Sequence, residues 1–171
     1  MSRNKHLNNL NNEVHSLEEV NLKSNILKLN IIDNFIKDFE KNILDIKSKY
    51  ILELKKLREY DSIVGGCKIG PHKSDIQGFS LSKNIDLFSC STGQQKAAIL
   101  LIIIAQGKFL LKNLNRQPII LLDEVCSHLD QNNRNILLEL INSLSTQTFL
   151  TGTEKNFFSF LSTKASYYYI N

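Results

Sequence analysis

The sequence predicts an α/β fold in which a mainly parallel sheet with flanking helices follows a helical arm. Two observations lead to this expectation. Apolar residues recur every three or four positions between residues 20 and 60, which is the period of a helix. Beyond residue 65, short apolar runs alternate with longer helical patterns, which is typical of parallel α/β sheets. We therefore expect a helical arm over residues 1–64 and an α/β body over residues 65–171.

The predicted arm carries a heptad repeat. One set of its positions holds Leu29, Ile36, Ile43, Tyr50 and Leu57, and the other holds Ile32, Phe39 and Ile46. This spacing is typical of a coiled coil, so an antiparallel helical hairpin would satisfy it. Further apolar residues widen the stripe, and an ordinary amphipathic helix packed on the body is an equal alternative.

The predicted body is divided by turns. Gly65 and Gly66 end the helical zone, and the pair Gly70 and Pro71 marks a second turn. Strands are expected at residues 76–81, 85–88, 119–122, 148–151 and 167–170, and helices at residues 94–114 and 132–143, with a short helix before the last strand.

Composition and cysteine usage bound the class of protein. The net charge of +4 is mildly basic, so charge alone favours a solvated lysine-rich surface over a dedicated nucleic-acid surface. Cys67, Cys90 and Cys126 form no Cys-x-x-Cys pair, which argues against a disulfide framework and a zinc site. Residues 1–12 hold no apolar targeting segment, and the apolar run at 99–104 is too short to cross a bilayer. We expect a cytoplasmic protein without a membrane partner.

An acidic pair ends the most apolar strand. Residues 118–124 read PIILLDE, so Asp123 and Glu124 emerge where a buried strand reaches the edge of its sheet. One carboxylate there can hold Mg²⁺ on a nucleotide, and its neighbour can orient or deprotonate a water. The structural alternative is an ordinary acidic turn.

A second string precedes a helix. Residues 90–96 read CSTGQQK, and good helix formers follow them. A hydroxyl and a glycine at a helix N-terminus offer an anion site, which the helix dipole favours. Alternatively, Ser91 only caps the helix.

The two strings together resemble a known family. Residues 90–94 resemble the signature motif of ABC-type ATPases, residues 121–124 resemble their Walker B strand, and residues 127–130 (SHLD) resemble their D-loop. The doubled glutamine and residues 70–75 (GPHKSD) narrow the resemblance to the RecF family of DNA repair ATPases. The resemblance covers residues 65–171 and implies the C-terminal lobe of an ABC-type P-loop ATPase head, preceded by the end of the arm domain.

The resemblance implies roles for the two strings. Asp123 would coordinate Mg²⁺, and Glu124 would be the catalytic base that positions the attacking water. Ser91, Gly93 and Gln94 would bind the γ-phosphate of an ATP held by a second subunit.

The resemblance also implies roles for the segments that follow. Ser127 and Asp130 would cross the dimer interface as the D-loop. ABC ATPases often have a switch histidine after the next strand, and this chain has Thr151 and Thr153 there as candidates. Two histidines stay without an assigned role. They are His72, for which a turn-packing position is the simpler interpretation, and His128.

The sequence contains no Walker A loop. Gly65 and Gly70 have the spacing of its glycines, but Pro71 and His72 follow where a lysine and a hydroxyl residue are needed. We therefore expect ATP and Mg²⁺ to bind only in a complete protein that includes an N-terminal Walker A half, and we expect no hydrolysis by this chain alone. A gene fragment or miscalled start and a natural split protein both agree with this expectation.

The family resemblance implies a function in DNA repair. The complete protein would dimerise on ATP, bind DNA at gaps or junctions, and assist recombinase loading on single-stranded DNA with RecR and RecO, in replication-linked repair and the SOS response. Two alternatives stay open: a fragment of the nucleotide-binding subunit of an ABC transporter, and a non-enzymatic docking or dimerisation fragment.

Overall fold

The computed structural model describes residues 3–21, 27–33, 43–126, 129–159, 161 and 165–170. Within these residues the chain is a mixed α/β protein with four α-helices and five short strands. The helices are α1 (Arg3–Asn21), α2 (Ile43–Val64), α3 (Thr92–Leu114) and α4 (Gln131–Leu144), and the strands are β1 (Leu27–Ile32), β2 (Asp75–Ser80), β3 (Ile85–Asp86), β4 (Ile120–Leu122) and β5 (Thr148–Leu150).

The strands form two small sheets. The first has the order β1-β2-β3, and β3 runs antiparallel to β2 with Phe79 opposite Asp86. The second is the parallel pair β4 and β5, in which Leu122 lies opposite Leu150. The described residues therefore contain one parallel and one antiparallel strand pair in two small sheets, and the mainly parallel sheet stays a prediction.

The predicted helical zone is interrupted by a strand. In β1, the side chains of Leu27 and Leu29 are buried while Lys28 and Asn30 are exposed, which is the alternation of a strand with one buried face. The helix predicted across residues 27–32 is thus wrong. Residues 34–42 lie outside the described residues, and the prediction is confirmed over α2.

Most of the other predicted elements are present. The helices predicted at 94–114 and 132–143 are α3 and α4, and the strands predicted at 76–81, 119–122 and 148–151 are β2, β4 and β5. The strand predicted at 85–88 stops after Asp86, where a 3-10 turn over Leu87–Ser89 begins. The final strand predicted at 167–170 is wrong, because that segment pairs with no described strand and the Tyr167 hydroxyl donates instead to the Phe158 carbonyl (3.3 Å).

Helix α1 packs on α3 through an apolar stripe. The many asparagines in α1 make this stripe hard to recognise in the sequence. The buried residues of the stripe are Leu7, Leu10, Val14 and Leu17, spaced three and four apart. Beside them, the buried Glu13 carboxylate lies 3.1 Å from the Lys112 ammonium and 3.9 Å from that of Lys108. Burial and the Lys112 charge lower the pKa of Lys108, and Glu13 opposes them.

Helix α3 is the centre of the core. Phe109 and Ile104 on α3 are fully buried, and Leu137 on α4 is buried with them. Among the described helices, α3 alone is long and apolar enough to cross a membrane by length and composition, although the helical core of a soluble protein meets the same criteria. About a third of its most apolar stretch is buried inside the protein.

The chain divides into two compact units. One comprises the chain up to Lys28 together with the chain from Gly78 onward, and it contains α1, α3, α4, β3, β4 and β5. The other comprises Leu29–Gln77 and contains α2. In this second unit the His72 ring lies 2.8 Å from the Cys67 carbonyl, as expected for a histidine that packs within a turn.

Candidate functional site

The acidic pair lies at the carboxyl end of β4, beside the residue that follows β5. Because the strands are parallel and in register, Asp123 and Thr151 leave the sheet side by side, and the Thr151 amide donates to the Leu122 carbonyl (3.0 Å). The Thr151 hydroxyl donates to the Asp123 carboxylate and accepts from the Glu124 amide (3.2 Å). One threonine hydroxyl therefore connects the side chain of Asp123 with the backbone of Glu124.

Glu124 has an unusual backbone. Its φ of 52° lies in the left-handed region, which costs an ordinary residue roughly 1–2 kcal/mol. The turn lifts Glu124 out of the strand direction, and its side chain is half-buried while that of Asp123 is exposed. Two adjacent carboxylates at this sheet edge thus differ in backbone conformation and in burial.

The second string forms the N-terminus of α3. Ser91 is its extended N-cap residue, and the Gln94 side chain accepts a hydrogen bond from the Ser91 amide (3.3 Å). A Cβ atom added to Gly93 would meet nothing within 4 Å, and Gly93 is not among the glycines with positive φ. The fold therefore does not require glycine at this position.

Gln95 has a structural role that the sequence did not predict. Its side-chain amide nitrogen lies within hydrogen-bond distance of three backbone carbonyls, which share its two hydrogens: those of Leu87 (3.1 Å), Phe88 (2.9 Å) and Cys90 (3.2 Å). This side chain ties the 3-10 turn before the helix to the first turn of α3. The doubled glutamine was the available signal, but only the fold shows that the second glutamine faces the loop.

A cavity of about 310 Å³ brings the second string near Asp130. Gly93, Gln94 and Ala97 line one side of the cavity, and Asp130 and Asn133 line another. Asp130 is the N-cap of α4, because its carboxylate accepts from the Asn133 amide (2.8 Å). Its assignment to the D-loop stays a prediction, and Ser127 and His128 lie outside the described residues.

Two further residues of this region differ in their surroundings. Thr153, the other switch candidate, is exposed, and within the described part of the chain its hydroxyl has no hydrogen-bond partner.

Cys126 is fully buried, and burial raises the pKa of its thiol. The Arg134 charge opposes this shift, and the Glu124 charge adds to it.

The acidic pair fits a nucleotide-bound metal better than a protein-only metal site. No group of three or more His, Cys, Asp or Glu side chains in the described ranges could hold a metal ion. Carboxylate oxygens at an open sheet edge are nevertheless ligands that Mg²⁺ accepts, since it commonly takes one or two carboxylates and completes its shell with phosphates and waters. Asp123 is the residue placed to supply such a ligand.

One face of the parallel pair is apolar and exposed. Ile120 and Leu122 are buried, whereas Leu121 is 72% exposed and Phe149, its partner across the pair, is 48% exposed. Ile119, just before β4, is 62% exposed. Strands of parallel sheets are normally covered on both faces, so these three residues form an uncovered apolar surface.

Two relatives of this chain are bacterial RecF proteins. No protein-family model matches the chain. The DNA replication and repair protein RecF of Rhizobium rhizogenes is 34% identical over 130 residues, which are 76% of this chain and 35% of that protein. RecF of Rickettsia canadensis is 35% identical over 153 residues, which are 90% of this chain and 42% of that protein. The chain therefore spans about a third of the length of the curated relatives it matches.

Solved structures give the same answer for the fold. A structure of the recombination mediator protein RecF with ATPrS, in the RecFOR pathway, is 25% identical and superposes with a TM-score of 0.63. The match covers 91% of this chain and 41% of that one. The corresponding structure with ATP matches with the same TM-score.

Proposed function

Because the chain is a homologue of the DNA replication and repair protein RecF that matches about a third of the RecF chain, we propose that it is one lobe of a RecF-like ATPase. The supporting observation is the arrangement at the carboxyl ends of β4 and β5, where the Thr151 hydroxyl donates to the Asp123 carboxylate and accepts from the Glu124 backbone amide. A helix N-terminus with an open glycine supplies the second part of such a site.

The residues take roles that match their surroundings. Asp123 holds Mg²⁺, which when bound neutralises phosphate charge. Glu124 orients the attacking water and takes its proton. Ser91, Gly93 and Gln94 form a binding surface for the γ-phosphate of an ATP held by another subunit, since amides at a helix N-terminus attract anions.

The β- and γ-phosphates need a cradle that this sequence does not contain. A polypeptide with a Walker A loop supplies it, packing its own apolar elements on the surface of Ile119, Leu121 and Phe149. Burying that surface contributes roughly 25 cal/mol for each Å² removed from water. The ATP-bound RecF structure supports ATP as the nucleotide of the assembled protein.

The assembled protein acts in DNA repair and replication. The names of the relatives and the RecFOR pathway of the solved structures support this role. From the family resemblance we further propose that the assembled protein is cytoplasmic, dimerises on ATP, binds DNA at gaps or junctions and works with RecR and RecO. The division into the end of an arm over residues 1–64 and an ATPase head over residues 65–171 stays a prediction, although α1 packs on α3 in the unit that contains the candidate site. By the family resemblance, Ser127 and Asp130 would cross the dimer interface as the D-loop, and Thr153 would be the remaining switch candidate.

The test is reconstitution with a relative. The chain is expressed together with the part of Rickettsia canadensis RecF outside the matched region, either separately or as one fused polypeptide. We expect ATP hydrolysis by the pair that Glu124→Gln abolishes, and none by either part alone. A fused protein that folds but hydrolyses no ATP would refute the proposal.

A non-enzymatic docking fragment is the second candidate. The exposed apolar surface favours it, because such a surface binds a partner whether or not chemistry follows. Reconstituted protein that binds single-stranded and gapped DNA equally well with and without ATP would support this candidate. The relatives described above are RecF proteins, and they do not favour the transporter alternative.

A further inference from the structure

The hydroxyl of Thr151 acts both as a hydrogen-bond donor and as a hydrogen-bond acceptor. It donates to the Asp123 carboxylate and accepts from the Glu124 amide at 3.2 Å. A threonine hydroxyl has one hydrogen to donate. Direct donation to a phosphate would therefore require Thr151 to release Asp123, so a role as a phosphate-contacting switch conflicts with the observed bonding.

The hydrogen bond from the Glu124 amide to the Thr151 hydroxyl lies at a residue with an unfavourable left-handed backbone conformation. Glu124 is one of four non-glycine residues with positive φ in the described chain, and it is the one that follows the acidic strand. A left-handed residue persists when surrounding contacts determine its conformation. The Thr151 hydroxyl and the amide of Thr151, which donates to the Leu122 carbonyl at 3.0 Å, hold the two sides of that turn.

From these contacts we propose that Thr151 is a positioning residue, which fixes the left-handed turn of Glu124 and the orientation of Asp123 without touching the nucleotide. This inference rests on the proposed ATPase function. It assigns Thr151 an effect on the rate of the chemical step rather than on nucleotide affinity, because its action passes through the two acids. Groups that orient metal ligands and bases commonly change activity about 10- to 100-fold when removed.

The chain offers a matched set of variants. Thr151→Val removes the hydroxyl and keeps the branched shape, and Thr151→Ser keeps the hydroxyl. Thr148→Val is the control, because it makes the same change three residues earlier, in β5, at a buried hydroxyl that has no hydrogen-bond partner in the described part of the chain.

The first measurement uses the chain alone. Amide hydrogen exchange by NMR reports whether the Glu124 amide is bonded, and losing a typical hydrogen bond corresponds to roughly fivefold faster exchange. We expect this acceleration in Thr151→Val and not in Thr151→Ser or Thr148→Val. Equal Glu124 exchange in the parent chain and Thr151→Val would overturn the proposal.

The second measurement uses the protein fused to the remainder of Rickettsia canadensis RecF. We expect Thr151→Val to lower kcat about 10- to 100-fold with KM nearly unchanged, and Thr151→Ser to restore most of the rate. A higher KM with unchanged kcat, or a serine variant as slow as the valine variant, would overturn the positioning role. If the unmutated fusion hydrolyses no ATP, the proposed function fails and takes the catalytic role with it, whereas the exchange result decides separately whether the hydroxyl holds the turn.

Discussion

Gly93→Ala separates what the fold requires of the α3 N-terminus from what a ligand would require. The added Cβ would meet nothing within 4 Å, and the residue does not have a positive φ. Replacing glycine by alanine in a compatible conformation reduces the entropy of the unfolded chain and stabilises proteins by about 0.4–1 kcal/mol. We expect the free energy of unfolding of this chain to stay the same or rise by up to about 1 kcal/mol, which raises Tm by roughly 2–4 °C.

The same methyl group should damage the assembled protein. A phosphate that accepts a hydrogen bond from the Gly93 amide must approach to about 2.7–3.2 Å, and a side chain in the open space crowds that approach. Losing one hydrogen bond to a charged group costs roughly 1.5–3 kcal/mol, which is about a 10- to 150-fold loss in affinity. We therefore expect ATP-dependent dimerisation of the fused protein to weaken by this factor.

Gly107→Ala is the control within the same helix. Its Cβ would contact the side chains of Leu144 (3.4 Å) and Ile120 (3.5 Å) at van der Waals distance, far from any phosphate. It should stabilise α3 by about 0.5–1 kcal/mol and leave dimerisation unchanged. Urea unfolding and analytical ultracentrifugation with and without ATP provide the measurements. Destabilisation by Gly93→Ala would show that the fold itself needs the glycine, and unchanged dimerisation would show that no phosphate approaches it.

Four further outcomes follow from buried groups. Thr148→Val should raise the free energy of unfolding by about 1 kcal/mol in urea titrations, because it removes a buried hydroxyl without a partner in the described chain. Glu13→Gln should lower it by about 1–2 kcal/mol, since it removes the charge that faces the Lys112 ammonium at 3.1 Å; equal stability at low and high salt would argue against that cause. Maleimide labelling followed by mass spectrometry should modify exposed Cys67 first and buried Cys126 only on unfolding. Because the pKa of Cys126 is raised, the folded chain holds this proton at pH values where the unfolded chain has lost it, so stability should fall as pH rises through the usual thiol range, and Cys126→Ala should reduce that slope.

Long periodic segments were the most predictable part of the fold. Helices α3 and α4 combine an extended apolar pattern with a capping residue at each start, so local chemistry and packing agree. Helix α1 was available to the same reasoning, because Leu7, Leu10, Val14 and Leu17 recur at helical spacing among its asparagines. Strand β1 was not, since Leu29 fits both a heptad position and the alternation of a six-residue strand.

The misassigned tail shows why strands are harder to predict. Tyr168 and Ile170 belong to residue types that favour strands, yet they are 89% and 98% exposed. A strand exists only when another strand accepts its hydrogen bonds, and no local pattern reveals whether that neighbour is present.

Some features of the candidate site were likewise predictable from the sequence and others were not. The residue types of the two strings indicated an acid pair and an anion-binding helix start, because such chemistry depends on a few adjacent side chains. The joining role of Thr151 and the three carbonyls bound by Gln95 depend on segments that only the fold brings together. The left-handed backbone of Glu124 was equally invisible in the sequence, since glutamate has no preference for that conformation.

The uncovered face of β4 and β5 bears on the lifetime of the protein in a cell. Chaperones and proteases recognise apolar side chains that ought to be buried, and Leu121 and Phe149 present two of them side by side. If the proposed polypeptide with a Walker A loop covers Leu121 and Phe149, an assembled copy no longer exposes them, whereas an unassembled copy does. Quality control would then match the amount of the chain to the amount of its partner by removing the excess, without any regulation of its synthesis.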